Sequence, residues 1–204
     1  MNYNKKKYIY LISPLKIYKN FYSDLTKVLR QKKVSFFQLR LKNESFKKKL
    51  IIGKKIKKIC KKLNVKFLIN DDVILTKKID ADGCHLGQKD MGILKARKLI
   101  GNKIIGVTCH NSIKLARMAI KNKADYIAFG AFNSSKTKKV KYIASINLLK
   151  KAREITKTPL VAIGGINTEN YKKLLLNKAN FLAISGYIWN NKKLKPIEAI
   201  KQLK

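Results

Sequence analysis

Short apolar runs alternate with amphipathic stretches along the whole chain. The runs are Tyr8–Ile12, Phe36–Leu41, Lys66–Ile69, Gly83–Leu86, Ile104–Thr108, Tyr126–Phe129, Leu160–Ile163 and Phe181–Ser185. Each has the length and character of a buried strand. Between them the apolar period changes to three or four. In Ser45–Leu63, the residues Ile52, Ile56, Ile59 and Leu63 form one stripe, and Lys47, Lys48, Lys54, Lys55, Lys57, Lys58, Lys61 and Lys62 fall mostly between them. This pattern predicts a helix with one buried stripe and a lysine-coated outer face. Ser112–Asn122 predicts a second, burying Ala116, Ala119 and Ile120 behind a Ser112 cap. The stretch after Asp72 carries a weaker helical pattern. Strand candidates interleaved with helices indicate βαβ units and a parallel sheet.

A parallel sheet of this kind is either closed or open. An open, doubly wound sheet normally carries a glycine-rich turn after its first strand. Here that turn is Ser13-Pro14-Leu15-Lys16, without glycine. The chain has 204 residues, near the short end for a (β/α)8 barrel. Pro14, Pro159 and Pro196 are isolated, no Gly/Ser-rich linker divides the sequence, and no close internal repeat shows. Pro159 precedes the seventh strand candidate, where a missing N–H is tolerated. The expectation is an α/β fold, a single (β/α)8 TIM barrel spanning residues 1–204.

Composition changes this picture little. The net charge of +37 invites a nucleic-acid reading. Yet Arg30, Arg40, Arg97, Arg117 and Arg153 are the only arginines, and arginine is the preferred reader of bases and phosphates. The lysines are spread over the chain, and abundant Lys, Ile and Asn suggest drift towards AT-rich codons. No specific nucleic-acid partner is expected, although weak binding at low salt fits the charge. The same basic field would raise encounter rates with phosphorylated substrates. Cys60, Cys84 and Cys109 make no CxxC pair, so buried reduced thiols are expected. The basic start and the short run Tyr8–Ile12 do not make a signal peptide. No apolar run approaches the ~20 residues that span a bilayer. A cytoplasmic location without membrane association is expected, and the oligomeric state stays open, a homo-oligomer included.

The informative polar residues follow the proposed strands. In a barrel they would collect at the C-terminal mouth, where active sites lie. Strand 2 ends in Gln38-Leu39-Arg40-Leu41-Lys42, and alternation puts Gln38, Arg40 and Lys42 on one side. Two cations facing inward call for an anion, unless they are solvated at the strand end. Strand 3 ends in Asn70-Asp71-Asp72 and strand 4 in Gly87-Gln88-Lys89-Asp90, in a chain with only eleven acids. Adjacent strands lie about 4.8 Å apart, so Asp71 and Asp90 could share one cation. Mg²⁺ commonly takes one or two carboxylates plus water and substrate phosphate. The competing reading makes Asp72 and Asp90 helix caps; Asp82 is read as a turn residue. Strand 5 ends at Thr108. Strand 6 ends at Gly130 and opens into Asn133-Ser134-Ser135-Lys136-Thr137-Lys138-Lys139, either a loop that closes over an anion or a solvated one. Strand 7 runs into Gly164-Gly165 and strand 8 into Ser185-Gly186, the usual phosphate-binding positions of this barrel. His85 and His110 have no matching acid or nucleophile, so His85 reads as structural or pocket-lining, and Trp189 reads as packing.

Taken in order, these segments resemble the thiamine phosphate synthase family from Tyr8 to Trp189. The resemblance implies a transferase that joins a pyrimidine pyrophosphate to a thiazole phosphate, both small-molecule substrates, with Mg²⁺. It implies that Gln38, Arg40 and Lys42 lie on the pyrophosphate side of the pyrimidine substrate, with Asn70 beside them. Asp71 and Asp90, nineteen positions apart, match the Mg²⁺ ligands. Thr108 stands where the family usually has serine. Ser135, Thr137 and Lys138 match the loop that holds thiazole phosphate and pyrophosphate, and Gly165 with Ser185 and Gly186 matches the thiazole phosphate clamp. Arg40, Lys42 and Lys138 would act on the leaving group. Departures are Tyr187 after Gly186, where a smaller residue is usual, and Asn133 for a more usual aromatic. A related branch, similar to the thiazole tautomerase, carries a catalytic histidine just after the glycine ending strand 6. Here that position is Ala131. The tautomerase, a non-catalytic thiamine phosphate-binding regulator on the same barrel, and a lysine-rich nucleic-acid-binding protein are the rival readings.

Overall fold

A computed structural model of the chain describes residues 8–133 and 141–203. Eight parallel strands close into a barrel in sequence order: β1 (Ile9–Ile12), β2 (Val34–Leu39), β3 (Lys66–Asn70), β4 (Gly83–Leu86), β5 (Ile104–His110), β6 (Tyr126–Gly130), β7 (Leu160–Ile163) and β8 (Phe181–Ile184). Pairing of Ile9 with Leu182 and Leu11 with Ile184 shuts the ring. The expected (β/α)8 barrel is therefore the fold. The largest departures from the sequence reading are in β2 and β5; the other strand ends agree to within one residue. β2 starts at Val34 and stops at Leu39, so Arg40 and Lys42 sit beyond the strand. β5 continues past Thr108 to His110 through a register shift against β6.

The helices α1 (Phe21–Leu29), α2 (Phe46–Lys62), α3 (Val73–Ile79), α4 (Ile93–Ile100), α5 (Ile113–Lys121), α6 (Ile146–Ile155), α7 (Tyr171–Leu176), α8 (Gly186–Trp189) and α9 (Pro196–Gln202) follow the strands. Ser45, Asp72 and Ser112 cap α2, α3 and α5 by accepting from Lys48, Leu75 and Leu115 N–H, satisfying otherwise orphaned donors. The buried stripe of α2 is Ile52, Gly53, Ile56 and Cys60. Ile59 and Leu63 lie on its flank, partly buried against the same core. Among the described residues, no helix is long and apolar enough to cross a membrane. The three cysteines are free and buried; burial pushes the thiols of Cys84 and Cys109 up to about 12.

Outward-facing strand residues such as Leu11, Phe37, Ile69 and Ile105 pack against the helices. A separate inner core of Tyr10, Ile12, Phe36, Leu68, Tyr126, Ala128, Val161, Phe181 and their neighbours fills the barrel. Gly106 makes that inner layer fit. It pairs with Tyr126 in the β5–β6 register, and a Cβ there would stand 1.8 Å from the Tyr126 ring. Gly106→Ala is therefore expected to destabilise the fold by about 3 kcal/mol or more, read as a lower denaturant midpoint with an unchanged slope.

The N-terminal face of the barrel carries a recurring lock. Asp82, Asp125 and Asn180 each stand just before an even-numbered strand. Their side chains accept from the backbone N–H of Phe67, Ile105 and Leu160 at the start of the preceding strand, at 2.8–2.9 Å. The same residues donate their own N–H to those residues' carbonyls. Arg97 binds Asp125 at 2.7 Å and Arg153 binds Asn180 at 2.5 Å. Asp82, expected to be a turn residue, is thus a cross-strand lock, and Arg97 and Arg153 serve stability at the end away from the mouth.

Candidate active site at the barrel mouth

The mouth is built from residues that end the strands. Asp71 follows β3 in a left-handed conformation, φ +64°, which costs an L-residue energy. Its N–H is held by the His85 carbonyl at 2.8 Å. Asp90 follows β4, and its Oδ2 accepts from Gly87 N–H at 2.6 Å. Helix α4 begins only at Ile93, with Gly92 as its cap. The capping alternative therefore holds for Asp72 and not for Asp90.

Asp71 and Asp90 bring their carboxyl groups within hydrogen-bonding reach of each other. Burial raises the pKa of Asp90, and the neighbouring Asp71 raises it further. Lys42 Nζ lies 3.4 Å from Asp71 Oδ2. Arg40 is half-buried; desolvation lowers its pKa, and the Asp71 charge opposes that shift. Its backbone N–H is fixed by Ser13 Oγ at 2.9 Å. A cleft of about 430 Å³ opens on the Asp71 side between the ends of β2 and β3, lined among others by Leu39, Leu41, Lys42, Ile69, Asp71 and Met91.

These residues suit a hard divalent cation. Two half-buried carboxylates placed together repel unless a proton or cation lies between them. Among the described residues no cluster of three or more His, Cys, Asp or Glu forms a metal cage. A site with two carboxylates leaves the remaining positions to water and phosphate oxygens, as Mg²⁺ prefers.

Below the charged rim lies a continuous hydrogen-bond chain. Gln38 Nε2 donates to Tyr10 Oη at 2.7 Å, and Tyr10 Oη meets Tyr126 Oη at 2.7 Å. Tyr126 Oη meets His85 Nδ1 at 2.9 Å, and His85 Nε2 meets Thr108 Oγ1 at 2.8 Å. Burial pushes the His85 imidazole down to about 4, so it is neutral at neutral pH. The sequence reading placed Gln38, Thr108 and His85 at the pocket but missed Tyr10 and Tyr126. The available signal was a polar tip inside an otherwise apolar strand.

The opposite rim is backbone. Gly164 has φ +105° and Gly165 φ +58°. A Cβ on Gly164 would stand 2.4 Å from that of Ala131, so the close approach requires glycine. Asn170 Nδ2 holds the Gly165 carbonyl at 2.9 Å. The Ser185 hydroxyl donates to the Ser13 carbonyl at 3.0 Å, tying β8 to β1. Gly186 opens the short helix α8. Trp189 Nε1 donates to the Ile12 carbonyl at 2.7 Å, the packing role expected of it. Ser135, Thr137 and Lys138 lie outside the described residues. The flanks of that loop are tied by Phe132 N–H to the Ile163 carbonyl at 3.1 Å and Ala144 N–H to the Ala131 carbonyl at 2.8 Å.

A closed barrel with cations, paired carboxylates and a glycine turn at its C-terminal mouth defines a phosphate-handling (β/α)8 enzyme. Residues 9–188 match the family model for thiamine monophosphate synthase. A thiamine-phosphate synthase of Pelagibacter ubique is 69% identical over 207 residues, covering 100% of both chains. One from Erythrobacter litoralis is 37% identical, covering 95% of this chain and 93% of its own. The solved thiamine phosphate pyrophosphorylase of Pyrococcus furiosus superposes with a TM-score of 0.86 at 28% identity, covering 98% and 94%. The chain belongs to the thiamine monophosphate synthase family.

Proposed function

We propose that the barrel mouth couples 4-amino-2-methyl-5-hydroxymethylpyrimidine pyrophosphate with 4-methyl-5-(2-phosphoethyl)thiazole, or its carboxylated form, giving thiamine phosphate and pyrophosphate. The observation that carries this reading is the convergence of Asp71 and Asp90 beside Arg40 and Lys42, across from the glycine turn at Gly164 and Gly165.

Asp71 and Asp90 would hold Mg²⁺, which when bound neutralises pyrophosphate charge and makes it a better leaving group. Arg40 and Lys42 lie where they can take up charge as the C–O bond lengthens. The electron-rich aminopyrimidine tolerates the positive charge that develops on its methylene carbon. The thiazole nitrogen, positioned through its own phosphate at the Gly165 and Gly186 backbone, attacks that carbon. The protein supplies position and field, and no covalent enzyme intermediate is needed. The position of the tautomerase histidine is held by Ala131, whose N–H is bonded to the Tyr142 carbonyl at 2.9 Å, so no proton-transferring side chain stands there.

Purified protein incubated with both substrates and Mg²⁺ is expected to form thiamine phosphate, and EDTA to abolish it. Product formation indifferent to EDTA removes the metal from the reaction. Binding of thiamine phosphate without any turnover makes the chain a regulator instead.

A further inference from the structure

We propose that Tyr10, Tyr126 and His85 are positioning residues, forming one polarised hydrogen-bond chain that makes Gln38 an acceptor and Thr108 a donor towards the bound pyrimidine. The inference deepens the proposed function and rests on it for the identity of the ligand.

The chain joins five strands: β2 at Gln38, β1 at Tyr10, β6 at Tyr126, β4 at His85 and β5 at Thr108. Its links of 2.7, 2.7, 2.9 and 2.8 Å are all short. Gln38, Tyr10, Tyr126 and His85 are buried, where an unmade hydrogen bond carries its full desolvation penalty. Gly106 leaves the space that lets the Tyr126 ring cross the interior to reach His85.

Each internal member of such a chain passes one hydrogen on as it accepts one. The hydrogens therefore run in a single sense, because a mixed arrangement puts two hydrogens, or none, on some link. With the Gln38 amide nitrogen donating to Tyr10, Tyr10 donates to Tyr126, Tyr126 to His85 Nδ1, and His85 Nε2–H to Thr108 Oγ1. What remains at the two ends is the Gln38 carbonyl oxygen as an acceptor, beside that amide's second N–H, and the Thr108 hydroxyl hydrogen as a donor. An aminopyrimidine carries the complementary pair, an amine donor beside ring-nitrogen acceptors. Reversal of the chain would offer the opposite pair at both ends together. Turning over the Gln38 amide would switch the free valence at Thr108 from donor to acceptor, so the two ends are coupled through the barrel.

The imidazole tautomer reports the sense directly. The chain has two histidines, so long-range ¹⁵N–¹H correlation spectra can be assigned by comparison with His110→Asn. At pH 7.5 the substrate-free protein is expected to hold His85 as the Nε2–H tautomer. Tyr126→Phe keeps the ring, removes the donor to Nδ1, and is expected to shift the His85 nitrogens. It should also raise KM for the pyrimidine pyrophosphate about tenfold, with KM for the thiazole phosphate unchanged. Tyr10→Phe should give the same split, and it serves as the second variant should Tyr126→Phe fail to fold. An Nδ1–H tautomer in the wild type overturns the proposed sense. Unchanged ¹⁵N shifts together with an unchanged pyrimidine KM overturn the chain itself. A wild type that makes no thiamine phosphate sinks the synthase reading, while the tautomer still decides the chain.

Discussion

Asp90→Asn is expected to cut Mg²⁺-dependent coupling about 100-fold or more while leaving the metal-free protein at least as stable as the wild type at pH 7. The two effects have one cause. Desolvation first, and then Asp71, raise the Asp90 pKa above its ordinary 3.8. A carboxyl whose folded pKa lies above its unfolded value favours folding in its protonated form. That contribution is present below the unfolded pKa and is lost as pH rises through the folded one. At neutral pH the ionised group therefore opposes folding. Asparagine removes the charge and keeps an oxygen for Gly87 N–H, which Asp90 Oδ2 now accepts at 2.6 Å. Thermal unfolding with and without Mg²⁺ checks the account. The metal should raise the wild-type Tm by mass action and leave the variant's unchanged. Undiminished turnover in the variant would remove the carboxylate pair from the mechanism.

The barrel was legible because buried parallel strands and amphipathic helices differ in length and period. Gly83–Leu86 and Leu160–Ile163 match their runs, since a turn residue bounds each at its start. Strand ends blur where apolar alternation outlasts the pairing, as at Leu41 beyond the end of β2, or where a bulge carries β5 to His110. Position at or just after a strand's end was enough to bring Gln38, Asp71 and Asp90 to one end, because every parallel strand points the same way. What was not legible depends on register between distant strands. Tyr126 reaches His85 only because Gly106 is its partner, and no local pattern links positions so far apart. The same holds for Asp82, Asp125 and Asn180, whose equivalence appears only once each even strand is laid beside its predecessor. Arg97 and Arg153 then separate from Arg40, although composition treats the three alike.

That separation makes Arg40→Met the second large effect. Arg97 is satisfied within the fold, by the Gly101 carbonyl at 2.7 Å and Asp125 at 2.7 Å, so its loss should cost stability. Arg40 is held in the opposite condition. Burial lowers its pKa, and the nearby Asp71 charge only partly compensates. A half-buried cation of this kind is costly until an anion arrives. Methionine keeps the apolar stem and the backbone bond to Ser13 and removes the desolvated charge. The expected result is a denaturant midpoint equal to or above that of the wild type, with kcat/KM for the pyrimidine pyrophosphate about 100-fold lower. Thiazole phosphate affinity should hold, since the phosphate site proposed for it rests on the backbone at Gly165 and Gly186 and not on the Arg40 side chain. The paired carboxylates and the desolvated Arg40 each weaken the fold locally, and the metal-bound diphosphate proposed to lie between them would offset both. An Arg40→Met protein that is markedly less stable yet turns over normally would show that this arginine serves the fold, as Arg97 does.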